Sequence, residues 1–272
     1  MTLPSSGQIT INQIHVEAGG GSGSQAAIND ADIRDMIGKG SGSQNAFNEY
    51  YGVSAAAPVA TYKGRILTTG NGFPSGYVSL SSGTKIVVVA ATIPGYVNSY
   101  ISLGGTNMTQ AANSYSSNQA NPAGSHSLIY YLQTSASGSQ YFTGDGGSGR
   151  SVIYVWEITG YNSSTPSSTA TTTTTNYGSS YSETVSLSTQ YNGVTIGAGL
   201  TEDTSPANNN NVTVSNSDTL EQVDLELATN HYTWDDENTP LGTRSYVCTQ
   251  NNPGTNGSNT GTFHRLAAAH WK

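Results

Sequence analysis

The chain has a single cysteine, Cys248, so it forms no internal disulfide and offers no thiolate cluster to a metal. Charge is scarce: 10% of the 272 residues are Asp, Glu, Lys or Arg, and acidic residues outnumber basic ones by 17 to 9. A net charge of −8 without clustered Lys and Arg excludes the counterion-displacing surface that nucleic-acid binding requires. No apolar run approaches the roughly 20 residues of a membrane-spanning helix, so membrane insertion is not expected. Residues 1–7 lack the basic-then-apolar pattern of a secretory leader. What is abundant is small and uncharged: 37 Ser, 34 Thr, 24 Asn and 32 Gly make up close to half of the chain. Such a surface is unusual for a cytosolic enzyme and common in proteins that persist outside a cell as parts of an assembly.

Two regions follow different patterns. Residues 1–57 hold a threefold repeat in which a Gln after Ser-Gly or Gly-Ser is followed three residues later by an apolar residue and then Asn: Gln8 with Ile11-Asn12, Gln25 with Ile28-Asn29, Gln44 with Phe47-Asn48. The Gly/Ser tract supplies a turn, and Asn is a favoured helix N-cap because its side-chain oxygen satisfies a free backbone N–H. The apolar residue ahead of the cap then packs on the fourth helical position, pairing Ile11 with Val16 and Ile28 with Ile33, with Tyr50 or Tyr51 substituting in the third copy. The middle helix is expected over 30–37, stopped by Gly38. Helices this short are not stable alone in water, and so few apolar side chains make a thin core. The region reads either as a flexible Gly/Ser-rich leader or as an attachment module ordered by docking, and the second is adopted. Its docking residues would be Ile9, Ile11, Ile14, Val16, Ile28, Ile33, Ile37, Phe47, Tyr50 and Tyr51.

Residues 58–272 read as strand after strand. The run Ile86-Val87-Val88-Val89-Ala90-Ala91 suits a strand buried on both faces. Further strands are expected at 59–67, 96–103, 127–133, 151–158, 183–187, 193–200, 211–214, 221–228, 244–249 and 262–271, separated by Gly-, Asn- and Pro-rich turns. The fold class is therefore all-β: a jelly-roll-like β-sandwich over 58–272 preceded by a small N-terminal module of short helical turns over 1–57. Residues 162–181, rich in Ser and Thr, read as a surface excursion or a strand-edge extension, and the β propensity of the Thr run would also let them pair at an interface.

The opening Leu3-Pro4-Ser5-Ser6-Gly7-Gln8-Ile9-Thr10-Ile11-Asn12-Gln13-Ile14, the segment Ile28-Asn29-Asp30-Ala31-Asp32-Ile33-Arg34 and the segment Phe47-Asn48-Glu49-Tyr50-Tyr51-Gly52 resemble the N-terminal module of structural proteins from tailed bacteriophages. The likeness is strongest to phages of marine and freshwater bacteria, cyanobacteria included. It covers about the first 52 residues; beyond them, Val155-Trp156-Glu157 and the ending Leu266-Ala267-Ala268-Ala269-His270-Trp271 are similar to jelly-roll domains of phage appendages. The resemblance implies a virion protein assembled in the host cytoplasm, with other virion proteins as partners and a homo-oligomer, taken as a trimer, as its state. A tail or fibre-type appendage ranks first, a capsid decoration protein second.

Catalytic signatures are missing. His15, His126, His231, His264 and His270 are scattered without H-E-x-x-H spacing, and there is no G-x-S-x-G elbow. The Gly-rich stretch 144–149 lacks the Gly-Lys-Ser/Thr ending of a phosphate loop and reads as a hairpin turn. Asp235-Asp236-Glu237 lacks the alternating spacing of a calcium loop and reads as solvated surface charge. No cofactor, metal or catalytic residue is expected, and a polysaccharide-degrading enzyme is the distant third reading, because carboxylate separations are not legible in sequence. Tyr is the most conspicuous aromatic, with 17 against 4 Phe and 3 Trp. It pairs a flat apolar face with a hydroxyl, which suits contact surfaces. Tyr96, Tyr100, Tyr115 and Tyr232 lie nearest to turns and are the candidates for contact with a host glycan, whereas Trp156, Trp271 and Cys248 are read as core.

Overall fold

The run at 86–91 is uninterrupted because each of its two faces meets a different layer. In the computed structural model, residues 3–18, 21–30, 33–34, 36–37, 39, 44–51, 57–68, 70, 72–94, 100–116, 125–145, 151–176, 180–190, 192–202, 211–224, 229–240, 242–251 and 262–272 are described. A helix α1 (Ile11–Glu17) and a 3-10 turn (Phe47–Tyr50) come first. The first half of the β region comprises β1 (Val59–Thr68), β2 (Gly76–Leu80), β3 (Lys85–Pro94), β4 (Ile101–Leu103), β5 (Thr106–Asn107), β6 (Thr109–Ser116), β7 (Ser125–Thr134), β8 (Gly138–Gly144) and β9 (Ser151–Thr159). The second comprises β10 (Ser168–Asn176), β11 (Ser180–Thr189), β12 (Gly193–Glu202), β13 (Asn211–Val214), β14 (Thr219–Asp224), β15 (Thr229–Thr239), β16 (Gly242–Asn251) and β17 (Thr262–Trp271).

These strands form four antiparallel sheets stacked as layers. The first outer sheet has the order β2-β8-β4-β5 and the first inner sheet β1-β9-β3-β7-β6; the second inner sheet runs β10-β17-β12-β15-β14 and the second outer sheet β11-β16-β13. Val87, Val89 and Ala91 of β3 enter a core shared with Val78, Leu80, Ile101, Leu103 and Phe142 of the first outer sheet. Ile86, Val88 and Ala90, on the opposite face, enter a core shared with Val194, Ile196, Ala198, Ala267, Ala269 and Trp271 of the second inner sheet. A third core joins the second inner and outer sheets through Val185, Leu187, Tyr232, Trp234, Tyr246 and Cys248. Both inner sheets are thus buried on two faces, which explains why β3 and β9 (Ser151–Thr159) are apolar without alternation.

The strand orders reveal an internal duplication. The order 1-9-3-7 of the first inner sheet becomes 10-17-12-15 in the second, and 2-8-4 becomes 11-16-13 in the outer sheets. In each half the first strand lies beside the last, and the strands β1 to β4 and β7 to β9, like β10 to β13 and β15 to β17, alternate between two opposed sheets, as in a jelly roll. The sandwich expected over 58–272 is in detail a tandem of two, packed inner sheet to inner sheet. Sequence echoes remain: Val78-Ser79-Leu80-Ser81 spans the end of β2 and Val185-Ser186-Leu187-Ser188 lies in β11, with Val and Leu buried in both. A second echo is functional rather than literal. Glu157 on the last strand of the first half accepts a 2.7 Å bond from the Ser81 N–H, while His270 on the last strand of the second accepts a 2.9 Å bond from the Gln190 N–H. Each ties the turn between the second and third strands of its half.

Polar groups sit between the two inner sheets, each with a partner across the seam. Tyr154 donates from its hydroxyl to the His231 carbonyl at 2.8 Å, and Trp156 Nε1 donates to Thr233 Oγ1 at 3.1 Å. Thr92 Oγ1 and His231 Nδ1 lie 2.7 Å apart, and the Ser127 hydroxyl donates to the Arg265 carbonyl at 2.9 Å. Buried polar groups are costly unless paired, so these bonds fix one register between the halves.

Within 162–181, residues 168–176 form β10, an edge strand paired to β17 from Ser168↔His270 to Asn176↔Thr262, and 180–181 begin β11. The expected strand at 221–228 overlaps β14, which ends at Asp224 in a sheet whose next strand is β15.

Candidate binding surfaces

The N-terminal module is built on a cap that differs from the expected one. Thr10, not Asn12, caps α1: its side chain accepts from the Gln13 N–H at 3.2 Å, and Gln13 Oε1 accepts from the Thr10 N–H at 2.8 Å. The return half of this box recurs at the same repeat position in the other copies. Asp30 Oδ2 accepts from the Ala27 N–H at 2.7 Å, and Glu49 Oε2 accepts from the Ala46 N–H at 2.7 Å. Gln13, Asp30 and Glu49 each follow their repeat's Gln by the same interval, so the threefold repeat encodes a cap made by the long acceptor rather than by Asn. Asn12 instead bridges copies, with Oδ1 accepting from the Gly23 N–H at 2.9 Å, and Asn45 donates to the Ile28 carbonyl at 2.6 Å. Of the middle helix expected over 30–37, Ile33 and Arg34 are helical, with the Arg34 N–H donating to the Asp30 carbonyl at 3.0 Å.

The module also has a core of its own, and this corrects several docking assignments. Leu3, Ile14, Ala18, Ile33, Met36 and Tyr50 cluster together, with Ile9, Ile11, Ile28 and Ile37 packed half-buried against them. Ile14, Ile33 and Tyr50 have no exposed surface, so they hold the module together and are not available to a partner. The Ile11–Val16 staple is not formed, since the cap lies at Thr10 and Val16 faces outward. Val16, Phe47 and Tyr51 remain, exposed by 36%, 42% and 37%. They are the apolar residues the module presents, although Tyr51 also donates from its hydroxyl to the Gly7 carbonyl.

The four candidate tyrosines separate. Tyr96 lies outside the described residues. Tyr232 is fully buried in the core between the second inner and outer sheets, beside Trp234 at a ring separation of 6.1 Å, so it contacts no glycan. The sequence around Tyr232 reads as turn-like, but 229–239 forms β15, a strand of the second inner sheet covered on both faces. Tyr100 and Tyr115 are exposed, and the Tyr115 ring stacks on His126 at 4.6 Å, leaving one ring face open. Two further tyrosines, outside the four candidates, share an exposed sheet face. Tyr77 and Tyr141 stand directly opposite each other on β2 and β8, on the outer face of the first outer sheet, with ring centroids 5.0 Å apart. Their signal was alternation: Tyr77 precedes buried Val78 and Tyr141 precedes buried Phe142, which places both rings on the opposite face.

The acidic cluster is structural, not solvated. Asp235 and Asp236 are nearly fully buried. Asp236 pairs with Arg244 at 2.9 Å and accepts from the Tyr246 hydroxyl at 2.8 Å, Asp235 Oδ1 accepts from the Thr219 N–H at 3.0 Å, and Glu237 accepts from the Ala60 N–H at 2.6 Å. Burial, with the nearby charges of Glu237 and Asp218, pushes the Asp235 carboxyl up to about 6 against the bonds from Thr219. Burial depresses His231 to about 3; burial plus the charge of Arg265 depresses His126 to about 4, and burial plus Lys272 depresses His270 to about 4. Among the described residues no group of three or more His, Cys, Asp or Glu is placed to hold a metal ion. No family model, no curated protein and no solved structure matches the chain.

Proposed function

We propose that this chain is a non-enzymatic structural protein of a bacteriophage particle, of the tail or fibre type. Residues 1–57 attach it to other virion proteins, and the tandem sandwich projects or packs with copies of itself. The observation that carries the reading is the triply capped N-terminal module, which keeps Val16, Phe47 and Tyr51 outside its small core. An exposed apolar set on a small, separately packed unit suits a docking surface. The roles found for these carboxylates favour a structural protein too: Asp235, Asp236, Glu237 and Glu157 are each engaged in bonds that hold strands or turns.

The test is incorporation. Protein lacking residues 1–57 should remain folded and soluble yet fail to enter particles, and V16S/F47S/Y51S should do the same with the module retained. Normal incorporation of either would remove the docking role. Copy number in purified particles, read from a stained gel, separates the appendage reading (a few tens of copies at most) from a capsid decoration protein present in hundreds. Sedimentation equilibrium of the full chain tests the trimer.

A further inference from the structure

The duplication supplies an internal control for the outer faces of the molecule. Aligning the halves on Val78-Ser79-Leu80 and Val185-Ser186-Leu187 makes Tyr77 equivalent to Thr184. Their cross-strand partners are Tyr141 and Val247, so the tyrosine pair of the first half is a Thr–Val pair in the second. The next outward pair along the strands is Ser79↔Ser139 in one half and Ser186↔Ser245 in the other. The architecture therefore asks for a serine pair at one position and tolerates small side chains at the other. Nothing in the fold requires two aromatic rings at 77 and 141.

Those rings also face solvent. Tyr77 is 69% exposed, the highest value among the large apolar side chains of the described residues, and Tyr141 is 41% exposed. Their planes are inclined at 52°, forming a shallow bent strip instead of a closed stack. Hydroxyls surround it: Ser79 and Ser139 on one side, and the Ser75–Thr143 pair, 3.0 Å apart, on the other. None of the four strands of this sheet, Gly76–Leu80, Gly138–Gly144, Ile101–Leu103 and Thr106–Asn107, contains Asp, Glu, Lys or Arg. In a chain of net charge −8, an uncharged sheet has neither attraction for a cation nor a donor cluster for an anion.

We infer that the Tyr77–Tyr141 face is a binding site for a neutral polysaccharide. A pyranose ring presents a C–H face that stacks on an aromatic ring and a rim of hydroxyls that exchange bonds with Ser79, Ser139 and Thr143. Charged polymers gain nothing here, and a protein partner would find few anchors besides the two rings. The inference rests on this surface and its contrast with the second half, and is independent of how the chain attaches to a particle.

Affinity electrophoresis of the full chain in gels containing dextran, mannan, xylan or, as the charged contrast, alginate tests it. At least one neutral polymer should retard the protein, and alginate should not. Y77A/Y141A should weaken that retardation by about ten-fold or more, the loss expected for removing stacked rings. Y77F/Y141F, which keeps the rings, should retain most of it, and Thr184→Ala in the second half should change nothing. Unchanged near-ultraviolet circular dichroism establishes that each variant is folded. Absence of retardation by every neutral polymer, equal retardation of Y77A/Y141A, or stronger retardation by alginate would overturn the site. So would dissociation of an oligomer by Y77A/Y141A, because the face would then join copies of this chain. Removal of residues 1–57 should leave retardation intact, which separates this inference from the docking role.

Discussion

Two glycines on β12 shape the second half by what they omit. A Cβ on Gly197 would sit 2.1 Å from the Trp234 ring, and one on Gly199 would sit 2.1 Å from the Tyr232 ring. Both rings belong to the cross-strand partners of those glycines and fold flat over the bare backbone. Gly197→Ala and Gly199→Ala should each cost about 1–3 kcal/mol or more by overpacking, read as a lower melting temperature. Gly70→Ala, where nothing lies within 4 Å, should stay within about 0.5 kcal/mol of the parent. Titration acts at the same scale. Each of the three buried histidines has a folded pKa below its ordinary 6.5, so the unfolded chain takes up protons first as pH falls. Their contribution is complete above 6.5 and drains away between 6.5 and values near 4 and 3. Asp235 works in the opposite sense: raised from 3.8 to about 6, it costs stability once ionised. Asp235→Asn keeps an acceptor for the Thr219 N–H and should raise stability at pH 7 by on the order of 1–3 kcal/mol, with no gain below the unfolded value of 3.8. Urea midpoints at the two pH values check the sign; equal effects at both would show that Asp235 is not carrying a buried charge.

At the scale of elements, the N-terminal module depends on its three equivalent caps. Gln13→Ala, Asp30→Ala and Glu49→Ala should each cost about 0.5–2 kcal/mol locally. Hydrogen exchange should therefore rise across 3–51 while β3, β9 and β12 keep their protection. Equal loosening of the sandwich would mean that the module does not fold as a separate unit. The repeat itself is legible in the sequence but its chemistry is not, because Asn is a good cap in general whereas here Asn12 lies inside α1 and bridges to Gly23 of the next copy. Strands 85–94 and 151–159 were legible because burial on both faces demands a continuous apolar run. β15 was not, since a strand that carries His231, Thr233 and Asp235 across a buried seam looks like a surface segment until the partners Thr92, Trp156 and Thr219 are known. Tyr77 and Tyr141 were within reach through alternation alone, but weighting turns over strand faces passed them by. The duplication was the hardest to see, because outside Val-Ser-Leu-Ser the two halves share strand order and not residues.

At the scale of the whole molecule, the question is whether two jelly rolls make one folding unit or two. The core between the inner sheets draws on both halves: Ile86, Val88, Ala90, Tyr154 and Trp156 from one, Val194, Ile196, Ala198, Ala269 and Trp271 from the other. Separating the halves would expose all of these side chains and strip Tyr154, Trp156 and Ser127 of acceptors across the seam. The cost in apolar surface is that of opening a domain core, larger than the polar contacts that join independent domains. Residues 58–272 should therefore unfold in one cooperative step. Tryptophan fluorescence, which reports Trp156 and Trp271 in the shared core and Trp234 in the outer one, should give the same urea midpoint as far-ultraviolet circular dichroism. Trp156→Phe keeps an aromatic ring but removes the indole N–H bond to Thr233 and leaves a small cavity in the shared core, so it should cost about 1–3 kcal/mol, seen as a lower single midpoint without splitting the transition. A fragment ending at residue 160 should aggregate, with its inner sheet bare to solvent. Two resolved transitions, or a soluble folded fragment, would instead mean that each jelly roll stands alone and that the seam is a docking of finished domains.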